Sequence, residues 1–288
     1  MDMRPLLLVL ALGCPALTLA PLVRAEAQAV QPGPAQSIEA FSRALMIGQM
    51  LDVMRDEGIQ HSTELSASLF PGENAAAWAA LVSIIYDTNK MQARFDAALA
   101  GAVGSDQPTL AAAQVFFAST LGQRIMTLEI AARRTLLDKA AEAGAKADWA
   151  RLEAEKSARA EQIIRFGGVN DLIESNVMGA LNANLAFYRG LSGTGGFGDP
   201  MPEDQMLAEV WGQEPDIRKE TTDWLYPFLA VAYQPLSDAE LESYIQFSQT
   251  DAGHKINAAI FVAFDAVMIK ISSDLGIAAG RLMEGQDI

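Results

Sequence analysis

Two stretches of this chain, 110–125 and 241–256, repeat a set of key residues at the same spacing. Leu110 and Leu241, Phe116 and Phe247, Gly122 and Gly253, and Ile125 and Ile256 stand 131 positions apart in each case. A repeat constrains topology more than composition does, because one supersecondary unit must serve twice. The second copy shows the grammar best. Ser237-Asp-Ala-Glu240 is a capping box, in which the Ser hydroxyl takes the backbone N–H of Glu240 and the Glu carboxylate returns to the N–H of Ser237. Leu236 and Leu241 flank it as a hydrophobic staple. The helix that follows runs to a second cap at Thr250, three residues before Gly253, and Ser119 stands in the same relation to Gly122. A hydroxyl cap followed by Gly turns the chain sharply and lets the new helix pack on the old one, since Gly has no Cβ. Ser119, Gly122, Ser237, Glu240, Thr250 and Gly253 are therefore structural motif residues, and each copy is expected to be a tight helical hairpin.

The rest of the chain repeats this helical character, with apolar residues at helical spacing and no sustained alternation or β-branched run. The expected fold is all-α, with helical hairpins in two related copies forming a bundle-like array. Ser37 is expected to cap the first helix, a short piece to cover 62–70, and Asn74 to open a longer helix through Leu99. A break is expected over 101–107, one long helix over 140–165, and a further break at Gly167-Gly168. Helices over 169–188, 203–212 and 216–234 follow, with Pro227 kinking the last. The Gly- and Pro-rich segment 190–202 reads as a linker between an N-terminal unit, 37–189, and a C-terminal unit, 203–288.

The N-terminus reads as an address. A short head with Arg4, an apolar run over 6–23 and small residues around Ala25 form a secretory signal peptide over 1–25, followed by a disordered leader over 26–36. Gly13, Pro15 and Pro21 interrupt the run, which disfavours a permanent membrane span. Cys14 is the one cysteine, and Ala11-Leu12 reverses the order that a lipoprotein box needs. After cleavage no thiol would remain for a disulfide or a metal. The expected location is outside the cytoplasm, in the periplasm of a bacterium. A net charge of −15 argues against nucleic acid and anionic membrane surfaces as partners, since both require basic residues.

In its C-terminal part the chain resembles a known group. The capping-box start, the aromatic and then Ser/Thr-x-x-Gly-(Gln/His)-(Lys/Arg) are similar to the exported bacterial proteins grouped as domain of unknown function 2059. The likeness is best over 216–283 and weaker in the first copy, where 106–109 lacks the acidic return. It implies an exported helical protein and supplies no catalytic residues.

Candidate chemistry is sparse. Residues 193–198 satisfy G-x-G-x-x-G, but a dinucleotide site needs a preceding strand, so a linker is the better reading. His61 with Glu64, and His254 in the second hairpin, are too few for a zinc site. Asp216, Glu220 and Asp223 fall on one solvated helix face. No catalytic, cofactor or metal residue is assigned. Eight aromatic residues crowd between Trp224 and Phe264 in a chain only 7% aromatic, and core packing is their default role. If part of that cluster is exposed or hollow, Trp224, Phe228, Tyr244, Phe247, Phe261 and Phe264 form an apolar ligand site or a partner surface. The expected function is non-enzymatic binding of a protein or envelope component. The alternative is a carrier of an apolar small molecule or lipid between hairpins.

Overall fold

The computed structural model describes residues 34–69, 74–194 and 201–285. Among them are thirteen helices and no strand. The first six are α1 (Pro34–Ala44), α2 (Ile47–Leu69), α3 (Ala75–Ile85), α4 (Thr88–Val103), α5 (Gln107–Phe117) and α6 (Thr120–Thr135). Then come α7 (Lys139–Ala154), α8 (Ala158–Val169), α9 (Leu172–Ser192), α10 (Glu203–Gly212), α11 (Glu214–Tyr233), α12 (Asp238–Ser248) and α13 (Asp251–Met283). The expected signal peptide, Cys14 and the expected leader as far as residue 33 lie outside the described residues.

Helix α13 is the axis of the fold. Its 33 residues span about 50 Å, and α3, α4, α5, α9 and α12 all pack on it. It is long and apolar enough to cross a membrane, yet 61% of its most apolar window is buried inside the bundle. A helix packed by neighbours over most of its circumference must be apolar over most of it, and that accounts for its composition, with Lys255 and Lys270 on the strip left open to solvent. The main core extends from Ile38 of α1 to Leu282 of α13, so helices before and after residues 195–200 share one interior.

Several helix limits differ from expectation. Helix α1 begins at Pro34, whose fixed φ suits a first turn, so Ser37 lies inside it. Helix α2 is continuous through Ser62, and the turn falls earlier, at Met46 in the left-handed region. Helix α3 stops at Ile85, and Asp87 caps a separate α4 through the amides of Asn89 and Lys90. Helix α4 persists through Gly101 to Val103. The expected long helix over 140–165 is two, because Ser157 caps α8 after a left-handed turn at Lys156. Gly167-Gly168 stays helical, and the chain turns at Asn170-Asp171 instead, with Asp171 left-handed. Pro227 lies inside α11, where its ring leaves one ladder bond unmade.

Gly190 through Ser192 belong to α9 rather than to a linker, for a steric reason. Helices α9 and α13 run side by side in the same direction and touch backbone to backbone. A Cβ on Gly190 would lie 2.4 Å from the Ser273 carbonyl oxygen, and one on Gly276 would lie 2.2 Å from that of Phe187. Asn257 fixes the start of the pair by donating to the Asn170 carbonyl at 2.9 Å.

Candidate functional site

The tight α9–α13 contact at one end leaves a gap towards the other, where α2 closes over it. Small residues on α9 (Gly179, Ala180 and Ala183) face Phe261, Phe264 and Met268 of α13 across a hollow of about 60 Å³. Leu65 of α2, Phe187 and Tyr86 complete its apolar floor. The Tyr86 ring lies directly against Gly58, where any Cβ would meet it at 2.2 Å. Burial pushes the Tyr86 hydroxyl above its ordinary pKa, so it stays a neutral phenol. A water needs roughly 10–15 Å³ of such space, so the hollow admits a few waters or a molecule of a few heavy atoms.

The rim is polar. Asp265 is half-buried, with its carboxylate across Gly179 of α9; a Cβ there would lie 2.6 Å from Oδ1. Desolvation holds its pKa above the usual carboxylate range, partly offset by a bond from Asn182 Nδ2 at 3.4 Å. Asn176 is buried and donates through Nδ2 to the Leu172 carbonyl at 2.7 Å, while its Oδ1 has no protein partner. Asn184 donates to Gln213 Oε1 at 2.8 Å. His61 stands at the same rim with Nδ1 4.0 Å from Glu64 Oε2.

A second polar feature is closed to solvent. Glu129 of α6 is fully buried, and its Oε1 accepts from Tyr233 Oη at 2.7 Å and Tyr244 Oη at 2.9 Å. Oε2 has no hydrogen-bond partner. Burial pushes the carboxyl up to about 7 against the pull of the two hydroxyl donors. One turn along α6, buried Arg133 makes a two-pronged pair with Glu57 of α2 at 2.6 and 2.7 Å, and it lies 5.7 Å from the Trp224 ring centre. A cluster without access for substrate is a folding and titration element rather than a reaction site.

The motif residues occupy cap positions. Ser119 Oγ accepts from Gly122 N at 3.1 Å, and Thr250 Oγ1 accepts from Gly253 N at 2.9 Å. Ser237 accepts from Glu240 N at 3.3 Å, and Glu240 Oε2 accepts from Ser237 N at 2.8 Å. A Cβ on Gly122 would lie 2.3 Å from the Phe116 carbonyl oxygen, and one on Gly253 would lie 2.1 Å from that of Phe247.

Of the six aromatic residues proposed as a ligand site or partner surface, the structure divides the set. Phe228, Tyr244 and Phe247 are completely enclosed and form no surface, because α12 and α11 turn them onto other rings: Phe247 stacks on Phe116 at 5.0 Å, and Tyr244 meets Phe166 at 4.9 Å. Trp224 is half-buried and stacks on Phe228 at 4.9 Å. Phe261 and Phe264 alone line the hollow. His254, Asp216, Glu220 and Asp223 are exposed, and the G-x-G-x-x-G segment begins at Gly193, the C-cap of α9, before passing out of the described residues at 195. Among the described residues no group of three or more His, Cys, Asp or Glu side chains is placed to hold a metal ion. Asn176, Asn184, Asp265 and Glu129 were not singled out from sequence. Their one signal was a polar residue set into an otherwise apolar helical stripe.

The chain matches no family model, no curated protein and no solved structure.

Proposed function

We propose that this protein is an exported, non-enzymatic carrier or receptor for a small molecule held between α2, α9 and α13. The observation that carries this reading is the hollow lined by Phe187, Phe261, Phe264 and Met268, with Asn176 and Asp265 at its polar edge. An apolar cavity with a few convergent polar groups is the usual form of a ligand site, and its modest volume sets an upper size on the occupant. Export rests on the order of charged head, apolar run and small residues over 1–25. Kinship with the exported helical family rests on the pattern from Ser237 to Lys255. The matched junctions α5–α6 and α12–α13 support the reading of one unit duplicated, the second copy having supplied the helix that carries the site.

Native mass spectrometry of protein from its own host tests the reading. The expected result is a chain starting at Glu26 or Gln28 with an extra small mass, lost when Ala183→Leu fills the hollow. A bare chain in every preparation would remove the carrier reading, and a chain retaining Met1 would remove export. A second reading, binding of a protein or envelope component, is favoured by an open trough of about 590 Å³ between α2 and α3, lined by Ile59, Ala67, Ala75, Trp78 and Val82. A second polypeptide held by the Ala183→Leu variant as firmly as by the native protein would favour it.

A further inference from the structure

Helix α3 carries no charged residue, and its C-terminal end opens onto a groove bounded by α4 and α13. The groove holds about 140 Å³ and shares no residue with the hollow. Met91, Val267 and Ile271 are buried beneath it, Ile85 is half-buried, and Ile84 stands 61% exposed at its edge. The rim is basic. Lys90 and Arg94 lie one turn apart on α4, close enough for both to reach one small group, and Lys270 joins them from α13. Lys270 is paired with Asp274, one turn on. Lys90 and Arg94 make no ion pair and no side-chain hydrogen bond among the described residues, although acidic residues outnumber basic ones 36 to 21 over the chain.

We infer that this groove is a binding site distinct from the hollow, for a single-chain alkyl carboxylate of fatty-acid type, its head between Lys90 and Arg94 and its chain along Ile84, Met91, Val267 and Ile271. Head and chain fall on different residues. The two unpaired cations select an anion over a neutral or cationic molecule, and the planar guanidinium of Arg94 suits the two oxygens of a carboxylate. The apolar floor selects an anion with a chain over a free inorganic one. Asp274 in the same lining disfavours a doubly charged phosphate head more than a singly charged one. At about 30 Å³ for each water-sized group, the groove takes on the order of five methylenes, too few for a two-chain lipid. An anionic bilayer fits less well, because it calls for clusters of about four to eight cations and would face the whole charge of −15. A single small anion feels chiefly the charges within a Debye length, about 8 Å.

The test is an amide NMR titration of the purified full chain with hexanoate, hexanol and acetate, with sedimentation on phosphatidylglycerol vesicles beside it. Hexanoate should shift the signals of Lys90, Met91, Arg94 and Lys270 and bind about fivefold more tightly than hexanol, a margin that falls towards one in about 1 M salt. Acetate, which has the head without the chain, should bind roughly tenfold more weakly than hexanoate. Replacing both exposed cations, Lys90→Gln with Arg94→Gln, should bring the hexanoate-to-hexanol ratio close to one while hexanol binds as before, and Ile84→Ser should weaken both. Equal binding of hexanoate and hexanol by the native chain, or an unchanged ratio in the double variant, overturns the anion assignment. Hexanoate binding no tighter than acetate overturns the role of the floor. Shifts confined to Gly179 and Phe264 would put the probe in the hollow and overturn the site, as would no shift at the groove with any probe. Sedimentation with the vesicles and no response to hexanoate would replace the single molecule by a membrane surface.

Discussion

The helices that follow the two matched junctions present opposite chemistry to the same interior. Helices α5 and α12 each have 11 residues, and their ends lie 131 positions apart. The caps agree in backbone angle, with Ser119 at φ −68°, ψ 162° and Thr250 at φ −78°, ψ 155°. Beyond the junction, α6 places Glu129 and Arg133 in the core, while α13 places Ile260 and Phe264 at the corresponding positions. All four are buried. Junction geometry therefore fixes where a side chain goes but leaves open what it is. In α6 the charges are accommodated by Tyr233, Tyr244 and Glu57. In α13 the apolar face is free to wall a cavity.

The most damaging change should be one that both junctions feel. Gly122→Val and Gly253→Val would each drive a branched side chain into backbone at 2.3 and 2.1 Å, which no rotamer relieves. Each should lower stability by about 4 kcal/mol, above the usual overpacking range because the obstacle is backbone. Urea unfolding measures this. A native midpoint in both variants would show that the junctions are not close contacts, and a native midpoint in one alone would break their equivalence.

The second prediction separates α6 from α13 by pH. The Glu129 carboxyl titrates at about 7 in the fold and near 4.5 when unfolded, so the folded state holds its proton more tightly. Its contribution is therefore full below pH 4.5 and is lost as pH rises through 7, a change of roughly 3 kcal/mol. Asp265, also raised, acts in the same sense. Glu174, Glu203 and Glu240, lowered by their Arg or Ser partners, act in the opposite sense below that window. Native stability should fall between pH 5 and 8, and Glu129→Gln, which keeps an acceptor for both tyrosines, should flatten most of that fall. Equal slopes in native and variant would place the titration elsewhere.

The contrast also marks where sequence is informative. The junctions were legible because a cap and a glycine are local: Ser119, Thr250 and the Ser237–Glu240 box act within three residues. The limits of α10 were legible for the same reason, between Pro202 and Gln213. Turns at Met46, Lys156 and Asp171 were not, because the left-handed position at each is filled by a residue other than the glycine that usually marks it. Asp138 and Ser157 did carry cap chemistry that could have divided 140–165 from what precedes and splits it. The hollow was invisible because His61, Asn176 and Asp265 converge from three helices far apart in the chain. No spacing rule relates them.

A third prediction concerns the caps alone. Ser119→Ala and Thr250→Ala each remove one acceptor for a helix-start N–H and should cost about 1 kcal/mol. Thr250 also donates to the Phe247 carbonyl at 2.8 Å, so its loss should be the larger of the two. Paired urea curves check the order, and a greater loss at Ser119 would show that the caps differ in ways their backbone angles do not reveal.

The smallest effect probes how the copies hold each other. The cation after each glycine reaches the start of the other copy: Arg124 pairs with Glu240 and donates to the Pro235 carbonyl at 2.6 Å, and Lys255 pairs with Asp106 at 2.8 Å. The exchange is reciprocal in position and unequal in strength. Both ion pairs are open to water and should be largely screened. The carbonyl bond is what distinguishes Arg124, because a planar guanidinium serves two acceptors at once where an ammonium ion is a single point charge. Arg124→Ala should therefore cost about 0.5 kcal/mol, and a good part of that should survive at high salt. Lys255→Ala should leave the urea midpoint in place at any salt concentration. An Arg124 loss that vanishes in 1 M salt would assign its effect to charge alone and make the two crossings equivalent after all.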